Sequence, residues 1–197
     1  MTTRTTRQTQ IIEESLALIA EEGMEGLTYR NLSERFGISI PAFYRHFPSK
    51  ADILLNIIDY LDEVSLGVYD SAQAAGSDPL DTLGLVLMGY AEQFSRNAAL
   101  TAVLFPDVIG GTKHELQEGV LRRMGENHRR LTDLVADGIA AGLVRADVPP
   151  ERWALLVMAA LRLEVTLWRL EGRRTDLTAG VAALCSHLKK ILSADTA

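Results

Sequence analysis

An all-α fold is predicted by three features of this sequence. Apolar residues recur at helical spacing along most of its length, glycine and proline clusters cut that pattern into segments, and no alternating β-branched stretch competes. With 197 residues, 47% of them apolar, the chain can bury a real core as one domain or two small ones.

The elements follow in order. Ile12, Leu16 and Ile19 mark a first helix that stops at Gly23, with Gly26 in the turn beyond it. Thr28 then caps a short second helix whose Tyr29, Leu32 and Phe36 share a face, and Gly37 ends it. Ser39 caps a third helix, with Pro41 in the first turn, where a missing N–H costs nothing. Ser49 with Asp52 reads as a capping box that opens a fourth helix through Ile53, Ile57, Leu61 and Val64. After the loop AAGSDP, helices are predicted over about 80–98, 113–142, 151–171 and 177–193, separated by FPDVIGGT, RADVPP and GRRTD.

Charge and targeting signals narrow the function. A net charge of −6 argues against a protein that coats nucleic acid over its whole surface, although a local basic patch remains allowed. The N-terminal MTTRTTRQTQ has no apolar run after its basic residues, so neither a secretory signal nor a membrane anchor is expected. The apolar block Trp153 to Leu161 is too short to span a bilayer. The single cysteine, Cys185, cannot make an internal disulfide, and a cytoplasmic location is expected.

The segment GISIPAFYRHFPSK, residues 37–50, carries more than packing requires. A short helix, a tight turn at Gly37 and a second short helix have helix-turn-helix spacing. On a helical wheel Leu32, Phe36, Phe43 and Phe47 converge with Ile38 as a small core. Pro41, Ala42 and Arg45 then fall on the opposite face, with Tyr44 at its flank. Pro41 and Ala42 are small enough to approach a major-groove floor and touch a thymine methyl. Tyr44, His46 and Lys50 can reach phosphate oxygens, and Thr28 and Ser39 place helix N-termini where a phosphate can sit.

The stretch LTYRNLSERFGISIPAFYRHFPSK resembles the DNA-binding signature of the TetR family of bacterial repressors. Gly23, Gly26, Thr28, Gly37, Tyr44, His46, Phe47 and Lys50 all fall at matching spacings, and the resemblance covers residues 8–55. It implies base contacts from Arg30, Ile40, Pro41 and Ala42, and phosphate contacts from Thr28, Ser39, Tyr44, His46 and Lys50. Ser33 stands where the family usually has alanine. Ile40 stands where a hydrogen-bonding residue could read a base, and it either reads one or packs beneath Phe43.

The resemblance also implies a helix-turn-helix domain over residues 1–52, followed by a helical effector-binding and dimerisation domain over 53–197. The protein would then be a ligand-responsive regulator, a repressor that binds a palindromic operator as a homodimer and is released by a small-molecule effector. The alternative is a constitutive DNA-organising protein of the same fold without an effector.

The residues support dimerisation independently. Leu177, Val181, Leu184, Leu188 and Ile191 line one stripe of the last helix, and the helix before it is apolar on almost every side, which calls for a core or a partner.

Candidate effector contacts are the aromatic, soft or polar side chains among the aliphatic ones: Met88, Tyr90, Phe94, Phe105, His128, Met158, Arg162, Glu164 and Trp168. Arg162 and Glu164, charges inside an apolar helix, need partners across the dimer or on the effector. No cofactor is expected. His114 and Glu118 have metal-ligand spacing without a third ligand at a recognisable interval, so no metal site is expected, and no acid/base or nucleophile constellation suggests an enzyme.

Overall fold

The structure, a computed structural model, describes residues 4–104 and 114–194, with side chains described over 4–101 and 117–194. Among the described residues the regular elements are α1 (Thr6–Gly26), α2 (Tyr29–Phe36), α3 (Ile40–Tyr44), α4 (Lys50–Ala75), α5 (Pro79–Arg96), α6 (Ala99–Leu104), α7 (His114–Ala140), α8 (Pro150–Leu170) and α9 (Leu177–Leu192). The all-α expectation holds, and among the described residues the one extended pairing is an isolated bridge between Val144 and Ser193. The chain forms two compact units, Met1–Glu63 with Asn97–Arg123, and Val64–Arg96 with Met124–Ala197.

In the first unit, local chemistry sets the helix ends. Thr5 and Gln8 form a reciprocal capping box at the start of α1, a signal the sequence reading passed over. α1 breaks at Gly23, whose φ of +76° suits a residue without a Cβ. Thr28 Oγ1 accepts from the Asn31 amide at 3.1 Å, and α2 ends on Gly37 at φ +62°. The Ser49 and Asp52 box is present, with the Asp52 amide donating to Ser49 Oγ at 3.1 Å and the hydroxyl donating to the carboxylate at 2.6 Å. Ile11, Ile12, Leu16, Leu32, Phe43, Ile53 and Ile57 are fully enclosed in the core.

Two local expectations need correction. Ser39 occupies the N-cap position of α3, but its hydroxyl makes no capping bond; in a five-residue helix its own carbonyl accepts from the Ala42 amide at 2.9 Å instead. Residues 99–104 form a helix that the reading did not anticipate. It packs on α1, and Asn97 Oδ1 accepts from the Ala99 amide at its start, at 3.2 Å.

In the second unit α9 packs against both α5 and α8. Gly89 of α5 lies so close to α4 that a Cβ there would come within 2.8 Å of Val68 Cγ1, so glycine permits the approach. Trp168 Nε1 donates to the Thr175 carbonyl at 3.1 Å and closes the α8–α9 turn, and Asp176 caps α9.

α8 has two apolar faces. Trp153, Ala154, Val157, Val165 and Trp168 are buried, whereas Leu156, Leu163, Leu167 and Leu170 are exposed at helical spacing. No described helix is long and apolar enough to cross a membrane.

Candidate nucleic-acid interface

The helix-turn-helix is an aromatic core with a polar exterior. Phe43 is fully buried and meets Tyr29 and Phe36 edge-on, at ring separations of 6.4 and 5.6 Å. Phe47 is buried, and Tyr29 donates to its carbonyl at 2.7 Å, which ties α2 to the segment after α3. Burial, followed by the nearby Tyr44 and Asp52, pushes the Tyr29 phenol up to about 12. Ser33 acquires a reason here, because its hydroxyl donates to the Ile38 carbonyl and braces the turn from within.

The side chains singled out for DNA lie on the outside. Thr28, Arg30, Ser39, Pro41 and Arg45 are exposed, while Ala42 and His46 are half-buried. Ile40 is 39% exposed, so part of its side chain is open to solvent. Tyr44 is 50% exposed and stacks on Tyr29 at 4.5 Å, so its ring is held while one face stays open. Arg30 pairs with Glu34 at 3.2 Å, an exposed i,i+4 pair that a stronger partner can displace.

Lys50 is less free than the sequence suggested. Its Nζ donates to the Met24 carbonyl at 2.6 Å just beyond the Gly23 break, and partial burial lowers its basicity. Arg35 is committed as well, to Glu14, Glu21 and Glu22 of α1.

Residues 11–57 match the family described as bacterial regulatory proteins, tetR family. The helix-turn-helix segment is thus of the TetR type. Among the described residues no cluster of three or more potential metal ligands occurs. The nucleoid occlusion factor SlmA of Alteromonas mediterranea is 27% identical over 122 residues, 60% of this chain and 61% of that protein. The chain thus spans about half to three-fifths of the curated relatives it matches.

Solved structures share the fold across nearly the whole length. The fatty acid degradation regulator FadR from Bacillus halodurans has a TM-score of 0.86 at 19% identity, covering 95% of this chain and 96% of that one. FadR from Bacillus subtilis, solved with stearoyl-CoA, has a TM-score of 0.80 at 18% identity, covering 93% and 98%.

The residues singled out for effector contact in this chain do not form one group. Tyr90 and Phe94 are buried on α5 and stack at 5.8 Å. His128 Nε2 lies 2.8 Å from the Glu151 carbonyl, at the start of α8, and Trp168 is occupied by the α8–α9 turn. Met88 and Met158 are half-buried, as are Arg162 and Glu164. Glu164 lies over α9, where a Cβ on Gly180 would stand 3.4 Å from its Oε2. Phe105 lies outside the described residues.

The stripe on α9 is also divided. Leu177 and Val181 are buried inside the unit at 3% and 0% exposure, so they cannot meet a partner as the sequence reading required. Leu184 and Leu188 are half-buried, and Ile191 is exposed.

Sequence reasoning missed a buried polar cluster around Tyr90. Ser65 on α4 is 1% exposed and contacts the Tyr90 hydroxyl, and both hydroxyls donate to Asn127 Oδ1 on α7 at 2.9 Å. Tyr69, one turn beyond Ser65, meets Tyr90 edge-on at 6.4 Å, and its own hydroxyl is buried without a partner. The available signal was Ser65 itself, a small polar residue between Leu61 and Val68 on an otherwise apolar face.

Proposed function

We propose that this chain is a ligand-responsive transcriptional repressor that binds a palindromic operator as a homodimer and is released by a small-molecule effector. The observation that carries this reading is the exposed face of α3, with Ile40, Pro41, Tyr44 and Arg45 presented on a buried aromatic core. Residues 1–52 read DNA, and residues 53–197 bind the effector and the second copy. Arg30, Ile40, Pro41 and Ala42 contact bases; Thr28, Ser39, Tyr44, His46 and Lys50 contact phosphates, with Arg45 beside them.

Dimerisation follows from the face of α8 that its own chain leaves open. Leu163, 59% exposed, lies near the middle of a stripe running from Leu156 to Leu170, and a second copy covering it buries a continuous apolar surface. Ile191 and the half-buried Leu184 and Leu188 of α9 flank it in this reading. Leu163→Glu is expected to give monomers by light scattering and to abolish protection of an operator, since one helix-turn-helix contacts too few bases. A dimer that survives that change moves the interface elsewhere.

Footprinting tests the DNA roles. Lys50→Ala is expected to weaken binding to all sequences alike and to reduce the salt slope by about one counterion, whereas Arg30→Ala relaxes base preference. An unchanged slope for Lys50→Ala, with unchanged stability, removes its phosphate role and leaves only its bond to Met24.

Release by an effector is supported by the structural neighbour solved with stearoyl-CoA. α4 runs as one helix from Lys50 to Ala75. A coupling of about 1–3 kcal/mol suffices to weaken operator binding roughly 5- to 150-fold.

The resemblance to nucleoid occlusion factors favours the second reading, a DNA-organising protein that needs no effector. Protection of many chromosomal sites, unaffected by any metabolite fraction, identifies that alternative; one protected palindrome that a small molecule releases identifies the first.

A further inference from the structure

Glycine inside a helix costs stability relative to alanine, so a helical glycine calls for a reason. Two glycines of the second unit have one in packing: a Cβ on Gly89 would stand 2.8 Å from Val68 Cγ1, and one on Gly138 2.7 Å from Val144 Cγ2. Gly84, in the body of α5, has neither a packing reason nor a conformational one. A Cβ there would meet nothing within 4 Å, and its φ lies outside the left-handed region. Gly67 and Gly125 also face open space, but they stand exposed on their helices, whereas Gly84 is half-buried.

The space beside Gly84 is a cavity of about 180 Å³ between α5 and α9. Leu80, Leu83 and Leu87 of α5 and Leu188 and Leu192 of α9 supply its apolar walls. The single cysteine, Cys185, also lines it; its thiol donates to the Gly84 carbonyl at 3.7 Å, and burial pushes that thiol above its ordinary range. The remaining lining is polar, from Asp81, Ser186 and Lys189. The Asp81 carboxylate accepts from the Ser77 amide at 3.0 Å and the Ser77 hydroxyl at 3.2 Å, and these bonds, followed by Lys189, hold it below its ordinary range. The cavity is thus apolar, with a charge of each sign on its polar side.

We propose that the cavity beside Gly84 is a binding site for a small uncharged molecule, an apolar ring or short chain that carries a hydroxyl. The volume fits, since an apolar cavity of about 150 Å³ takes up benzene. The leucines of both helices contact the carbon skeleton, and the hydroxyl can donate to Asp81 or accept from Lys189. The two charges select against ions. An anion would lie beside the Asp81 carboxylate and a cation beside Lys189, and either would have to give up water to enter. Glycine at position 84 keeps the space open, which supplies the reason that packing and backbone conformation do not. None of the side chains singled out for effector contact lines this cavity, so the site goes beyond the effector reading and does not depend on it.

Calorimetric titration of the full chain with benzyl alcohol, benzoate and benzylamine tests the class on one ring. The alcohol is expected to bind about tenfold more tightly than either ion, and to slow alkylation of Cys185 by iodoacetamide in a saturable way. Gly84→Leu should fill the space and weaken the alcohol about tenfold or more. Gly84→Ala, the gentler variant, should weaken it by a smaller factor and raise Tm by about 2–4 °C, while Gly67→Ala should leave alcohol affinity unchanged. Absence of alcohol binding up to its solubility, or binding of either ion as tight as that of the alcohol, overturns the proposal. Unchanged alcohol affinity in Gly84→Leu, or in Gly84→Ala if Gly84→Leu does not fold, overturns it as well. So does protection of Cys185 that grows with protein concentration and no added alcohol, which assigns the cavity to a second copy of the chain.

Discussion

Tyr29 in the first unit and Tyr69 in the second both pack against aromatic rings, yet their hydroxyls are treated in opposite ways. Tyr29 donates to the Phe47 carbonyl at 2.7 Å, whereas the buried Tyr69 hydroxyl has no partner. The helix-turn-helix closes its own hydrogen bonds and leaves its exposed face for a partner. The second unit keeps part of its bonding capacity inside. On the function proposed above, a region that reads DNA benefits from being rigid before it binds, and one that takes up a small molecule benefits from an interior that the molecule completes.

The largest way to break that contrast is to remove the centre of the rigid half. Phe43 is fully buried between Tyr29 and Phe36, so Phe43→Ala leaves a cavity as well as losing burial, and a cost of about 3–5 kcal/mol is expected. Urea unfolding should show the loss, and operator binding should disappear with it. A cost below about 1 kcal/mol would mean that the aromatic core does not set the geometry of α3.

The two tyrosines themselves give the sharper test, because one chemical change should have opposite signs. Tyr29→Phe removes a made hydrogen bond and is expected to destabilise by about 1 kcal/mol. Tyr69→Phe removes a buried hydroxyl that has no partner, and relief of its desolvation cost should leave stability unchanged or raise it by up to about 1 kcal/mol. Burial also holds the Tyr69 phenol well above its ordinary range, so it stays protonated and the comparison at neutral pH concerns hydrogen bonding alone. Loss of stability in Tyr69→Phe equal to that in Tyr29→Phe would show that the Tyr69 hydroxyl is satisfied within the protein.

The same contrast explains what the sequence could reveal. The Thr28 cap, the Gly37 turn, the Pro41 first turn and the Phe43–Phe47 spacing all lie within twenty residues, where helical periodicity and local capping chemistry decide the outcome. The polar cluster draws Ser65, Tyr69, Tyr90 and Asn127 from three helices, and no spacing along the chain announces that they meet. Leu177 and Val181 show a related limit. Periodicity identifies an apolar stripe but not whether the chain itself or a partner covers it, and here α5 and α8 pack on α9. Ile40 and Lys50 differ in kind. For them the type of residue was informative, but its partner depended on packing that only the folded unit sets, which left Ile40 exposed and Lys50 bonded to Met24.

The smallest expected effect concerns how the two units begin their helices. α2 is capped by the neutral hydroxyl of Thr28, and α9 by the carboxylate of Asp176, whose Oδ1 accepts from the Thr178 amide at 2.9 Å, the Thr178 hydroxyl at 2.6 Å and the Ala179 amide at 3.2 Å. Those bonds, the Thr178 hydroxyl foremost, hold the Asp176 carboxyl below its ordinary range. A carboxyl depressed in the folded state contributes stability that is present above the unfolded value of about 4 and is lost as pH falls through the lower folded value. Acidification below about pH 4 should therefore loosen the first turn of α9 while the first turn of α2 keeps its cap. Hydrogen exchange should show faster opening at Thr178 and Ala179 than at Asn31 under those conditions, and Asp176→Asn, which can still accept from the amides, should remove the pH dependence at α9. Equal acid sensitivity of the two helix starts, or pH dependence that persists in Asp176→Asn, would assign the effect to other carboxylates.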